Sequence, residues 1–371
     1  MKVISIISLL TVEENVLGKI LTKREFIVQQ CFVFGRLKRS YFRYLLKKDM
    51  KRIIVLLVAV TFLSCDKDND SSPSEDRNFR QDMRDFVIGI SQKAKGIKPG
   101  FAVIPQNGIE LVSENGEADG LPAQAYLNAI DGNGQEDLFY GYDNDDQATP
   151  ADISNYVKSF LNLSKSRGKT ILVTDYCSTA SKMNNSYQTN AVNGYISYAA
   201  PQRNLTVIPT TVPNNSNTDV ITNLSQAKNF LYLINTQDFA SKMAFINAVK
   251  ATNYDAIIMD LFLNEEQFTA TEINQLRDKA NGGKRLVICY MSIGEAEDYR
   301  YYWQPSWNTS KPNWMVAVNP DWPGNFKVKY WNEDWQKIIY KNNDSYLDKI
   351  LGANFDGVYL DIIDGFEYFE K

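Results

Sequence analysis

Apolar, β-rich runs recur along the chain after residue 100, and between them apolar positions follow helical spacing. The runs are 101–106 (FAVIPQ), 137–142 (DLFYGY), 170–177 (TILVTDYC), 195–200 (YISYAA), 230–235 (FLYLIN), 256–262 (AIIMDLF), 285–293 (RLVICYMSI) and 357–363 (GVYLDII). Helical patterns fall at 150–166, 179–193, 237–250, 271–280 and 332–351. Strands alternating with helices build a parallel sheet, and eight of them close into a (β/α)8 barrel, the TIM barrel. The runs lack strict apolar and polar alternation, as strands covered by helices on their outer face do. The predicted class is therefore α/β.

A regular barrel begins with a strand and ends with a helix. Here the last run is followed only by 365–371, too short for a closing helix, while 78–95 (NFRQDMRDFVIGISQKAK) has helical spacing ahead of the first strand. That helix can occupy the slot beside the last strand. The expected barrel is circularly permuted, which is open to a domain whose termini meet at its surface. It forms one catalytic domain, 78–371.

The segment before it reads differently. Met50-Lys51-Arg52 opens a basic head, 53–63 is apolar, and Ser64 precedes Cys65, the pattern of a bacterial lipoprotein signal over 50–65 with Cys65 as the lipidated residue. Eleven or so apolar residues are too few for a mature membrane span. Residues 66–77, rich in Asp and Ser, read as an acidic tether, and 1–49 as sequence upstream of the true start. An exported lipoprotein of the outer membrane or cell surface is expected, with the periplasmic side as the alternative. Its membrane contact would be the lipid at Cys65.

Composition narrows the chemistry. The 371 residues include no histidine, which removes Ser-His-Asp and Cys-His catalysis and histidine-ligated metals. A net charge of −4 provides no basic field for nucleic acid. No CxxC pair points to zinc, the stretch 131–134 lacks the ligand spacing of an EF-hand loop, and no cofactor or metal is expected. Cys177 and Cys289 lie in apolar runs, as two buried thiols or as one disulfide. Carboxylates together with 12% aromatic residues are what a carbohydrate site uses.

The stretches YDAIIMDLF (254–262), VICYMSIGEAEDYRYYW (287–303), WQKII (335–339), FDGVYLDIIDGFEYFE (355–370), VIPQNG (103–108) and GQEDLFY (134–140) resemble glycoside hydrolase family 114, the endo-α-1,4-polygalactosaminidases. In that family the PQNG and EDLFY segments follow the GVYLD strand, whereas here they precede it, in keeping with the permuted order. The resemblance implies an endo-acting hydrolase of α-linked galactosamine-containing exopolysaccharide, a polymer that would be its partner as substrate. It also implies a catalytic aspartate at Asp361 and a partner carboxylate at Glu136. The alternatives are a non-catalytic polysaccharide-binding lipoprotein with the same barrel, or a barrel glycosidase on another amino-sugar polymer.

Glycoside hydrolysis needs two carboxyl groups, one to protonate the leaving oxygen and one to attack carbon or activate water. Asp361 is expected as nucleophile or base and Glu136 as general acid, although Glu136 stands at the start of its predicted strand. By strand parity Tyr359 and Asp361 point the same way. Asp137, Asp175, Asp260, Glu295 and Asp364 also fall near strand ends, where a barrel keeps its site. Asp260 and Glu295 are read as substrate-binding carboxylates for a sugar ammonium; the alternative for each is a salt bridge to Arg300 or a neighbouring lysine. Arg300 is expected to orient rather than react. Tyr140, Tyr176, Tyr290, Trp303 and Trp314 are candidate sugar platforms or core. Gln106 and Asn107 can bond sugar hydroxyls or cap a loop.

Overall fold

The computed structural model describes residues 77–370. Residues 1–49, the signal segment with Cys65, and all but the last residue of the tether lie outside the described residues.

Eight parallel strands follow one another in space as they do in the chain: β1 Ala102–Pro105, β2 Gly132–Glu136, β3 Thr170–Tyr176, β4 Ile196–Ala200, β5 Leu231–Tyr232, β6 Ala256–Met259, β7 Leu286–Ser292 and β8 Gly357–Asp361. Ladders join β2-β3-β4 and β5-β6-β7-β8-β1. A bridge from Gln106 to Gly134 and the bond from Asn107 N–H to the Gly134 carbonyl (2.9 Å) link β1 to β2. Between β4 and β5 the neighbours meet through the rings of Tyr198 and Phe230, 6.0 Å apart. This α/β architecture with a mostly parallel central sheet is compatible with the barrel read from the sequence. The strands are buried on both faces, β7 along its whole length, because Val, Ile and Leu meet the helices outside and side-chain layers inside.

The helix ahead of β1 forms as expected, over Phe79–Ile97. Asn78 caps it by accepting the Gln81 amide, and Met83, Phe86, Val87, Ile90 and Ala94 bury one face. It sits between the helices flanking β8 and β1. Lys93 donates to Asp348 and to the Tyr340 carbonyl (2.7 Å each) on one side, and Ser91 to the Ala129 carbonyl (2.6 Å) on the other. The vacant slot is thus filled by the helix that precedes the first strand.

Two expectations are corrected. The predicted helix 332–351 is broken into Glu333–Gln336, a π-turn Lys337–Lys341 and Tyr346–Gly352. The polar run 342–344 leaves the helix, and Ser345 starts a new one through a capping box with Asp348. The second strand is 132–136 rather than 137–142. Hydrophobicity misleads here because glycine, not an apolar side chain, is what the position requires: a Cβ on Gly134 would lie 2.0 Å from the Tyr359 hydroxyl, and one on Gly132 2.5 Å from the Thr170 carbonyl. The apolar run after it turns over the rim, held by Phe139 and Tyr140 amides that donate to Asp175. A three-stranded antiparallel sheet of Glu295–Glu297, Asn325–Val328 and Met315–Val318, absent from the sequence reading, rises between β7 and β8.

Candidate active site

Gly134 and Tyr359 meet inside the barrel, so both strands show which parity faces inward. Two residues further on, Glu136 and Asp361 must face inward as well. They stand at the C-terminal ends of β2 and β8, on either side of β1, and each is half-buried. The strand correction therefore places Glu136 at an exit, where a barrel site is built. Below them Tyr359 packs edge-on against Tyr232 (5.2 Å), whose hydroxyl donates to Gln106 (2.9 Å).

The chain turns sharply after each of these strands. Asn107 (φ 60), Asp137 (φ 57) and Ile362 (φ 59) all adopt the left-handed region just beyond β1, β2 and β8. For β-branched Ile362 this costs on the order of 1–3 kcal/mol. The turn lets the Ile362 amide reach back to Asp361 Oδ1 at 2.8 Å. Gly294 makes room for it, since a Cβ there would lie 2.2 Å from the Ile362 carbonyl.

Uncharged groups hold both carboxylates. Glu136 accepts Asn107 Nδ2 at 3.1 Å on one oxygen and the Tyr176 hydroxyl on the other. Tyr176 is in turn covered by the Arg203 guanidinium, 3.9 Å from its ring centroid, and Arg203 is fixed by Asp137 (2.9 Å) and Asp145 (2.7 Å). Asp361 accepts the Tyr290 hydroxyl at 2.6 Å. Among the described residues neither Glu136 nor Asp361 has an ion-pair partner. Burial first, and then the negative charge of Glu136, push the Asp361 carboxyl up to about 8, with Asp364 adding to the rise.

Other predicted site residues are placed differently. Asp260 leaves β6 paired with Arg300 (2.6 Å), and Arg300 also binds Glu297 (2.5 Å), so Arg300 is an orienting group between two buried carboxylates. Glu295 is buried against Asn319 (2.9 Å) and Lys327 (3.2 Å). Asp175 is fully buried and ties the 139–140 turn to Ser186 (2.6 Å) and Asn190 (3.0 Å) of the following helix. Tyr140 bonds Asn185 (2.8 Å), and Asp364 lies half-buried in the turn Ile363–Tyr368. Trp314 is core, stacked near Trp335 (5.0 Å), and half-buried Trp303 packs on Phe326 (5.0 Å). Gln106 braces Tyr232 and Asn107 orients Glu136. Cys177 and Cys289 are free and buried, which excludes the disulfide between them. Sequence reasoning missed Gly134, Tyr232 and Arg203; the paired glycines in DGNGQE were the available signal for the first.

An uncharacterized protein of Methanocaldococcus jannaschii is 39% identical over 164 residues, 43% of this chain and 44% of the relative. One from Thermotoga maritima is 49% identical over 86 residues (23% and 25%), and one from Deinococcus radiodurans 38% over 122 (33% and 37%). The chain spans less than half the length of these curated relatives. Over residues 210–371, which carry β5, β6, β7, β8 and Asp361, the chain matches the model of glycoside-hydrolase family GH114, the family its sequence resembles.

Proposed function

We propose that this protein is an endo-acting glycoside hydrolase that cuts an α-linked, galactosamine-containing polysaccharide with Glu136 and Asp361. One observation carries the reading: two inward carboxyl groups share a barrel rim with no neutralising cation among the described residues, and one holds its proton to about pH 8. A protonated Asp361 can give its proton to the glycosidic oxygen as the C–O bond breaks. Glu136, positioned by two donors as an acceptor, then attacks the anomeric carbon or takes the proton of the attacking water. These roles are the reverse of those expected from the sequence, because burial and the nearby charge of Glu136 raise the Asp361 carboxyl and favour it as the proton donor. The family match supports glycoside hydrolysis; the acidic rim and the resemblance support the amino sugar.

The test is release of oligosaccharides from partially deacetylated polygalactosamine by the purified chain, beside a panel of other amino-sugar polymers. Release from another polymer alone would change the substrate. Binding without release from any would favour the non-catalytic reading.

We also propose that the barrel is permuted relative to its family. The rings of Phe79 and Phe369 lie 5.5 Å apart and Arg80 pairs with Glu370 at 2.9 Å, so a short link could join these ends. A family match confined to 210–371 is what a colinear comparison recovers from one half of a permuted chain. A variant beginning near residue 210, with 370 joined to 78, should fold; failure to fold would count against the permutation. Export and lipidation at Cys65 remain part of the proposal, and loss of palmitate labelling in Cys65→Ser is the expected result.

A further inference from the structure

Beyond the carboxylate pair, the antiparallel sheet between β7 and β8 presents two aromatic rings to solvent. Tyr299 is 60% and Trp322 56% exposed. Both flank one junction, where the Asp298 amide bonds the Gly324 carbonyl (2.9 Å) and the Asp298 carboxylate lies against the Gly324 turn. The Tyr299 ring and the turn that carries Trp322 are held in place. The Tyr299 hydroxyl donates to buried Glu297 (2.7 Å), which is locked by Arg300. The Trp322 turn, Asn-Pro-Asp-Trp-Pro-Gly, is anchored by Asn319, whose amide binds buried Glu295 and whose oxygen accepts the Asp321 amide (3.1 Å). Asp298 and Asp321 are exposed, and neither has an ion-pair partner among the described residues.

An exposed aromatic ring ordinarily costs solubility without return, and a single one needs no explanation. Two exposed rings beside two carboxylates that have no ion-pair partner among the described residues form a surface that matches one chemistry: a flat apolar sugar face carrying a positive charge. We propose that Tyr299 and Trp322, with Asp298 and Asp321, form a distal subsite for an unacetylated hexosamine unit of the polymer. The inference rests on the proposed function and deepens it. The sheet is rooted at Gly294, against Ile362 and next to Asp361. Three residues of strand from Glu295 to Asp298 then carry the patch roughly 10 Å from that root. A ring seated there belongs to a unit beyond the scissile bond, so the subsite serves a long chain and not a short oligosaccharide.

The experiment measures affinity of the full chain in a Glu136→Gln background, which keeps the polymer intact, for polygalactosamine of low and high acetylation. Adding Trp322→Ala is expected to weaken binding of the deacetylated polymer roughly tenfold, about 1.4 kcal/mol. Adding Asp298→Asn with Asp321→Asn should remove the preference for the deacetylated form and its dependence on salt. With Glu136 intact, the Trp322→Ala chain should lose activity on polymer and keep it on short oligomers. Unchanged affinity in Trp322→Ala, with hydrolysis present in the parent chain, overturns the subsite and leaves the catalytic reading standing. Weakened affinity in a chain whose parent hydrolyses nothing supports the subsite and sinks the catalytic reading. No binding of either polymer by the Glu136→Gln chain overturns the subsite too.

Discussion

The two ends of the barrel treat acidic residues in opposite ways. Three strands are bracketed by carboxylates five positions apart: Asp131 and Glu136 around β2, Asp255 and Asp260 around β6, Asp356 and Asp361 around β8. At the entrances every one is neutralised. Asp131 pairs with Lys95 (2.8 Å), Asp255 with Lys279 (2.8 Å, both side chains fully buried), and Asp356 with Arg277 (2.8 Å) and Lys98 (3.1 Å). Asp131 and Asp356 also accept the amides of Val103 and Val287 in the adjoining strands, and Asp255 that of Lys228 before β5. Of the three exit carboxylates, Asp260 alone has a cation partner among the described residues. Glu136 and Asp361 are left with uncharged donors, so one of them responds by holding its proton. The contrast separates a charge-neutralised end from an uncompensated one, and under the proposed function the second is the reactive end, as barrels generally have.

The largest expected effect breaks that contrast at the reactive end. Asp361→Asn removes the transferable proton, and kcat/KM on the polymer should fall on the order of 10²–10⁴-fold while the melting temperature holds or rises. A variant that melts far earlier would mean Asp361 is structural, like its counterparts at the entrances. Asp255→Asn asks the converse question. It leaves the Lys279 ammonium buried without its counter-charge, and urea unfolding should register a loss of about 3 kcal/mol or more, with kcat per folded molecule unchanged.

The raised Asp361 carboxyl sets a pH window. The folded chain keeps a proton there that the unfolded chain releases near 3.8, so this group makes stability fall as pH rises from about 4 to about 8. Asp361→Asn lacks that slope. The melting-temperature difference, variant minus parent, should therefore grow in the variant's favour across the window and level off above it. Activity should decline above about pH 8 as the acid proton is lost; activity that rises there would return Asp361 to the role of base.

Much of this contrast was legible in the chain. Seven of the eight strands, the leading helix and Asp361 follow from apolar runs, spacing and resemblance, because burial on both faces writes itself as Val, Ile and Leu. The second strand did not, since its inward position must be glycine for Tyr359 to pass, and a glycine carries no hydrophobic signal. The same cause misplaced Glu136 at a strand entrance. The ion pairs of Asp260 and Glu295 were present in the reading only as the salt-bridge alternative. Which one applied depended on Arg300 and Lys327 arriving from elsewhere in the chain, and no local pattern states that.

The smallest effect sharpens the comparison at a single bond. Tyr290 donates to Asp361, and this bond favours the charged carboxylate, opposing the larger effects of burial and of Glu136. Tyr290→Phe keeps the ring and removes only the donor, so the Asp361 carboxyl should rise further. A bond of this kind is worth about 1.5 kcal/mol, or roughly one pH unit. The alkaline limb of the rate profile should move upward by up to about that amount, with kcat on the plateau changed only a few-fold. The entrance aspartates pair with lysine or arginine, so the phenol bond to Asp361 belongs to the exit end. An unmoved limb would mean that the titrating group at the reactive end is not Asp361.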